Sequence, residues 1–154
     1  MITSNIKYFH TTEKECKKDK AFNEIIQILN NEYIIKNHHP KDLKAKLISD
    51  FSNLGWIKNK NAFSNMTSKI QLYSRNIGLQ IQFGNKAWVR YDILKLCNLQ
   101  QNNEIDYGVI VLFEKTLQVS MMGGVGNFEG IVKEYDEYKD FLDKKIIFIE
   151  VKDG

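Results

Sequence analysis

The chain has 154 residues, of which 43% are hydrophobic and 27% charged, and its formal charge is +3. That length fits one domain, residues 1–154, able to bury roughly 70% of its unfolded surface. No apolar run approaches the ~18 residues of a membrane span and MITSNIKYFH lacks the shape of a signal peptide, so the expectation is a cytoplasmic protein with no membrane partner.

Thr12 and Glu15 have the spacing of a capping box, and the charged run that follows leads into Phe22, Ile25, Ile26, Leu29 and Tyr33 at helical spacing. Glu24 borders this stripe, either as a solvated edge carboxylate or as one that reaches into a site. Pro40 suits the first turn of a second helix carrying Leu43, Leu47, Phe51 and Leu54, with Gly55 at its end. His10, His38 and His39 have no metal-ligand spacing, and Cys16 and Cys97 read as reduced thiols. Trp56 and Ile57 open a strand, and residues 58–68 read as a polar turn with a little strand near Phe63. Residues 70–73 form the next strand, which Ser74-Arg75-Asn76 turns back as a hairpin into residues 78–83. Gly84-Asn85 leads into a helix over residues 85–99, with Ala87, Trp88, Tyr91, Leu94 and Cys97 as its apolar stripe. The run YGVIVLF, residues 107–113, suits a strand buried on both faces. MMGGVG, residues 121–126, lacks the G-K-[S/T] ending of a phosphate-cradling loop, so no nucleotide cofactor is expected. Asn127 caps a helix carrying Phe128, Ile131, Val132, Tyr135 and Tyr138, and residues 146–151 form a closing strand. The order α-α-β-β-β-α-β-α-β predicts an α/β (α+β) domain with a mixed sheet and helices on both faces.

Within residues 78–83, Leu79, Ile81 and Phe83 point one way and Gln80 and Gln82 the other, about 6.6 Å apart along the strand. A strand lodged between helices should be apolar on both faces. Two long amides on one face mark either an edge strand open to solvent or a functional site, where such departures from local consistency concentrate.

LISDFSNLGW, then IQLYSRNIGLQIQFGNKAWVRYDILK, then IDYGVIVLFEK and SMMGGVGNFEGIV follow one another in an order that resembles restriction endonucleases of the BglII/BstYI type. These are members of the PD-(D/E)XK nuclease superfamily, and the resemblance covers roughly residues 41–138. It implies a restriction-endonuclease-like core in which one meander strand carries an Asp and the next carries Glu-x-Gln. The acids hold Mg²⁺ ions that activate water against a phosphodiester. Matching on Gln82 and Phe83 puts Gln71 at the Asp, Gln80 at the Glu and Gln82 at the Gln, so both acidic positions are amides here. An amide brings no negative charge to a cation and cannot deprotonate water. Cleavage is therefore expected to be absent or very weak, with no cofactor as the sequence stands and Mg²⁺ if the enzyme is active or the acids are restored. Glu24, Asp92, Glu104 and Asp106 are the carboxylates that could replace them from elsewhere.

The resemblance also implies double-stranded DNA as partner and a homodimer that reads a palindrome. Gly84, Asn85 and Lys86 would face base edges, while Arg90 and Lys95, if exposed, would contact phosphates. The stretch from Asn127 to Glu129 would frame the dimer or the DNA. Three functions remain in view: a DNA-binding protein with a degenerate metal site, a working type II enzyme with displaced carboxylates, or a protein-interaction module that keeps only the fold.

Overall fold

A computed structural model describes residues 1–31, 39–116 and 126–154. Tyr33, His38 and most of the 121–126 stretch lie outside them. The described elements are β1 (Ile2–Phe9), α1 (Glu13–Cys16), α2 (Lys20–Leu29), α3 (Pro40–Asn53), β2 (Ile57–Asn61), β3 (Lys69–Ser74), β4 (Ile77–Ile81), α4 (Lys86–Gln101), β5 (Tyr107–Phe113), α5 (Phe128–Leu142) and β6 (Ile146–Lys152). Among these, no helix is long and apolar enough to cross a membrane.

The six strands form one sheet in the order β1-β6-β5-β4-β3-β2. Strands β4, β5 and β6 run parallel, and β1, β3 and β2 pair antiparallel with their neighbours. The parallel pairs need crossovers, which α4 and α5 supply. A two-residue turn joins β3 to β4, with Arg75 at φ 44° and Asn76 at φ 69° between the paired Ser74 and Ile77. Left-handed geometry at both central residues matches the twist of the flanking strands.

Two apolar layers sandwich the sheet. On one face Phe22, Ile25, Leu29, Leu43, Leu47 and Phe51 of α2 and α3 pack on Leu79, Ile81, Val109, Val111 and Ile147. On the other, Val89, Ile93, Leu96, Ile131 and Tyr135 of α4 and α5 pack on Ile70, Ile110, Leu112 and Phe148. Helix α4 lies close because Gly78 and Gly108 leave room for Leu96. A Cβ at either position would come within 2.7 or 2.8 Å of the Leu96 side chain.

Besides β2, which runs on through Asn61 where a polar turn was expected from residue 58, the structure departs from the sequence expectations at three places. Strand β1 was not foreseen, and the expected helix from Thr12 is two helices, the second capped by Asp19, whose Oδ1 accepts from the Ala21 and Phe22 N–H groups. Third, the buried side of α4 carries Val89, Asp92, Ile93, Lys95, Leu96, Cys97 and Leu99. Trp88 and Leu94, expected in its apolar stripe, are 59% and 52% exposed. Cys16 and Cys97 are both free and buried, in keeping with reduced thiols.

Candidate active site

Strand β4 lies inside the sheet, so its side chains have no solvent to face. Gln80 is wholly buried and Gln82 nearly so. Both amides turn toward α4, where Asp92 waits: Gln80 Nε2 donates to Asp92 Oδ1 at 2.9 Å and Gln82 Nε2 to Oδ2 at 2.7 Å. A carboxylate only accepts, so each amide must offer its NH₂ group there and turn its oxygen elsewhere. The Gln80 oxygen accepts from the Gln71 backbone N–H at 3.0 Å, and the Gln71 side-chain oxygen accepts from the Ile81 N–H at 2.8 Å. The backbone pairing of β3 with β4 ends at Leu72 and Leu79, and one residue further these two amides take over the strand-to-strand bonds.

Asp92 also holds the Lys95 ammonium, 2.7 Å from Oδ1, one turn along the helix. Lys95 reaches on to the Lys69 carbonyl at 3.0 Å and lies 5.0 Å from the Tyr91 ring centre. With Asp92 2% and Lys95 8% exposed, the pair is screened from water. Breaking such a pair by removing one partner costs about 3–5 kcal/mol, because the other charge stays buried. Lys44 of α3 completes the electrostatics. Burial pulls its ammonium below the ordinary range, Lys95 pulls the same way and Asp92 opposes them.

Gln71, Gln80 and Gln82 are therefore brought together, and Asp92 joins them. The other three candidate carboxylates do not. Glu24 sits on the opposite face of the sheet, where Oε2 accepts from Trp56 Nε1 and Oε1 from Arg75, each at 2.9 Å. Burial raises its pKa, but those two hydrogen bonds and the Arg75 charge outweigh this and hold it below the usual carboxylate range. Glu104 pairs with Lys60 at 2.8 Å, and the exposed Asp106 follows the α4–β5 loop, its N–H bonded to the Asn76 carbonyl. Both lie at the far end of β4.

As a seat for Mg²⁺ the cluster falls short. Among the described residues no three His, Cys, Asp or Glu side chains gather within reach of one ion. Both Asp92 oxygens are occupied by amide N–H groups and an ammonium, and the Gln71 and Gln80 oxygens are occupied by backbone N–H groups. A hard cation needs several free oxygens and favours negative charge. The residues present do not fit it.

The mouth of the site is a cleft of about 250 Å³ lined by His39, Pro40, Lys41, Lys44, Gln82, Phe83 and Gly84. His39 caps α3, its Nδ1 accepting from the Lys41 N–H. Asn85 caps α4, its side chain accepting from the Ala87 N–H at 2.8 Å. Lys86 and Arg90 both pair with Glu134 of α5, and their hydrogen bonds, then their positive charges, hold its carboxyl at about 2. Lys95 was expected to contact phosphates only if exposed, and that condition is not met: it is buried against Asp92, where it completes the cluster. Its role was missed because the sequence offered two apolar stripes on α4, and the one containing Trp88 and Leu94 faces outward. Val89, Ile93 and Leu96, spaced by four and three, were the signal for the buried side.

A mixed six-stranded sheet, with helices on both faces and a polar cluster at the meander strand leading into the crossover helix, defines the restriction-endonuclease-like class of α+β proteins. Residues 8–143 match the family described as Restriction endonuclease BglII/BglIII, and the chain belongs to that family. The solved structure of restriction endonuclease BglII complexed with a DNA 16-mer superposes with a TM-score of 0.82 at 10% identity, over 97% of this chain and 78% of that one. Free BglII superposes with a TM-score of 0.74 at 10% identity, over 97% of this chain and 79% of the other. No match is found among curated protein sequences.

Proposed function

We propose that this chain binds double-stranded DNA as a restriction-endonuclease-like protein and cleaves it very slowly or not at all. The observation that carries the reading is the charge of the cluster. Where the family resemblance puts two metal-holding acids stand Gln71 and Gln80, and the one carboxylate beside them, Asp92, is already neutralised by Lys95. Lys41 and Lys44 at the cleft, with Lys86 and Arg90 on the first turns of α4, supply positive charge for phosphates, and the α4 N-terminus favours the same ligand. BglII in its solved complex holds a DNA 16-mer. A homodimer reading a palindrome belongs to the proposal, and the outward Trp88 and Leu94 give α4 an apolar face that a second copy would cover.

The test is a gel shift over a salt series with a plasmid digest beside it. Binding whose affinity falls steeply with salt, without fragments in Mg²⁺ or Mn²⁺, is the expected result. Retention of no DNA at any salt points to the protein-interaction reading. A second reading, an active Mg²⁺-dependent type II enzyme, is favoured by Asp92 alone, a carboxylate displaced from strand to helix that reaches both Gln80 and Gln82. Discrete fragments that vanish in Asp92→Asn would establish it. The combined variant Gln71→Asp/Gln80→Glu sets three carboxylates, with Asp92, against the single Lys95 ammonium and is expected to gain Mg²⁺-dependent cleavage by outweighing that charge. If it folds, binds DNA and never cuts, the assignment of these positions is wrong.

A further inference from the structure

We propose that the Lys95 ammonium is a built-in substitute for a metal ion: it closes the cluster to divalent cations, DNA binding needs none, and removing Lys95 opens a cation site. The link to DNA rests on the function proposed above, whereas the closure rests on geometry alone.

The ammonium occupies a cation's place. Its nitrogen lies 2.7 Å from a carboxylate oxygen of Asp92 and 3.0 Å from the Lys69 carbonyl, the two kinds of oxygen that a hard divalent ion takes. An entering ion would have to displace the ammonium and turn away the Gln80 and Gln82 NH₂ groups, all while standing beside Lys95 and near Lys44. Like charges at such separations in a buried site exclude one another. Lys95 differs from a metal in being covalently attached, so its local concentration does not fall with the solution's.

Without Lys95, Asp92 has no counter-charge beside the Lys69 carbonyl, and a divalent ion can supply one. Gln82 can then rotate its amide to present oxygen. Its present oxygen lies toward Gly84, and a half-turn of the terminal amide exchanges oxygen for nitrogen within nearly the same volume. A carboxylate, a main-chain carbonyl and an amide oxygen make a partial oxygen shell, with water completing six positions.

The experiment is a Mn²⁺ titration, reading free Mn²⁺ by electron paramagnetic resonance, with thermal unfolding in parallel and no DNA present. The wild-type chain is expected to bind no stoichiometric Mn²⁺ up to 1 mM, and 10 mM should move Tm by less than about 1 °C. Lys95→Met keeps the length of the stem and should bind one Mn²⁺ per chain, with Tm rising by about 5–10 °C at a hundredfold excess over Kd. Adding Asp92→Asn should abolish the gain. Stoichiometric binding by the wild type that Asp92→Asn removes overturns the proposal, as does a folded Lys95→Met that binds no better than wild type. If Lys95→Met does not fold, the wild-type titration and a gel shift in EDTA against 5 mM Ca²⁺ at matched ionic strength decide. Affinities within twofold support the proposal and a tenfold gain with Ca²⁺ overturns it. Absence of DNA binding in both buffers counts against the proposed function and leaves the Mn²⁺ result standing.

Discussion

Replacing Gln80 by Glu probes the cluster at its tightest point. Gln80 Nε2 lies 2.9 Å from Asp92 Oδ1, so the substitution sets a second carboxylate oxygen where an amide N–H had been. Lys95 already balances Asp92 and cannot balance another charge. Two ionised carboxylates at that separation repel by ~6 kcal/mol at an effective dielectric constant of about 20. Protonating one of them costs less: lifting a Glu from its ordinary value of about 4.3 to above 7.5 costs ~4 kcal/mol at pH 7.5. The pair therefore takes up a proton, and the loss of stability is limited to ~4 kcal/mol at pH 7.5 and to ~1.5 kcal/mol at pH 5.5. The direction follows from linkage. The folded variant keeps a proton that the unfolded chain releases above about pH 4.3, so the gap to wild type widens as pH rises. Urea unfolding in EDTA at the two pH values, followed by tryptophan fluorescence, reads the gap directly. A gap that does not change with pH, or one below ~0.5 kcal/mol at pH 7.5, would refute the claim that Gln80 is held against Asp92.

Asp92→Asn leaves Lys95 buried without its counter-charge and should lower stability by about 3–5 kcal/mol, and Asp92→Asn/Lys95→Met should cost less than the two single changes summed. A double-mutant cycle by denaturant titration measures the coupling. Glu134→Gln releases Lys86 and Arg90, so DNA affinity at low salt should rise while stability near neutral pH changes by no more than about 1 kcal/mol, since the trio is largely solvated. Because pairing holds the Glu134 carboxyl down at about 2, its small contribution is complete above the ordinary value near 4.5 and fades as pH falls toward 2. Comparing acid unfolding of wild type and variant should show their curves converging in that window. Gly108→Ala drives a methyl to 2.8 Å from Leu96 and should cost about 1–3 kcal/mol by forcing α4 off the sheet, read as a shift in the urea midpoint.

The sequence showed the site's strand more clearly than its surroundings. Gln80 and Gln82 put amides on one face of a strand that should be apolar on both, a signal that depends on neither partner nor distance, and both amides are buried. Pro40, Gly55 and Asn127 likewise marked helix ends because capping chemistry is local. Strand β1 was not legible, since only Met1 and Phe9 near its ends are buried and its order comes from backbone pairing with β6. Asp92 was legible as a candidate and no more, because its partners lie 10 and 12 residues upstream on another element. The pairing of Glu134 with Lys86 and Arg90 spans more than 40 residues and needs the fold to exist first.

The two outermost strands carry a consequence for assembly. On β1 the register shifts between Thr3 and Asn5, and on β2 Asn59 adopts φ 58° between the paired Lys58 and Lys60. A kinked rim on one side and a lysine-flanked kink on the other are poor templates for further pairing. The sheet of the six described strands thus ends in two margins ill suited to recruiting a further strand, and filament growth along the hydrogen-bonding direction is disfavoured at both.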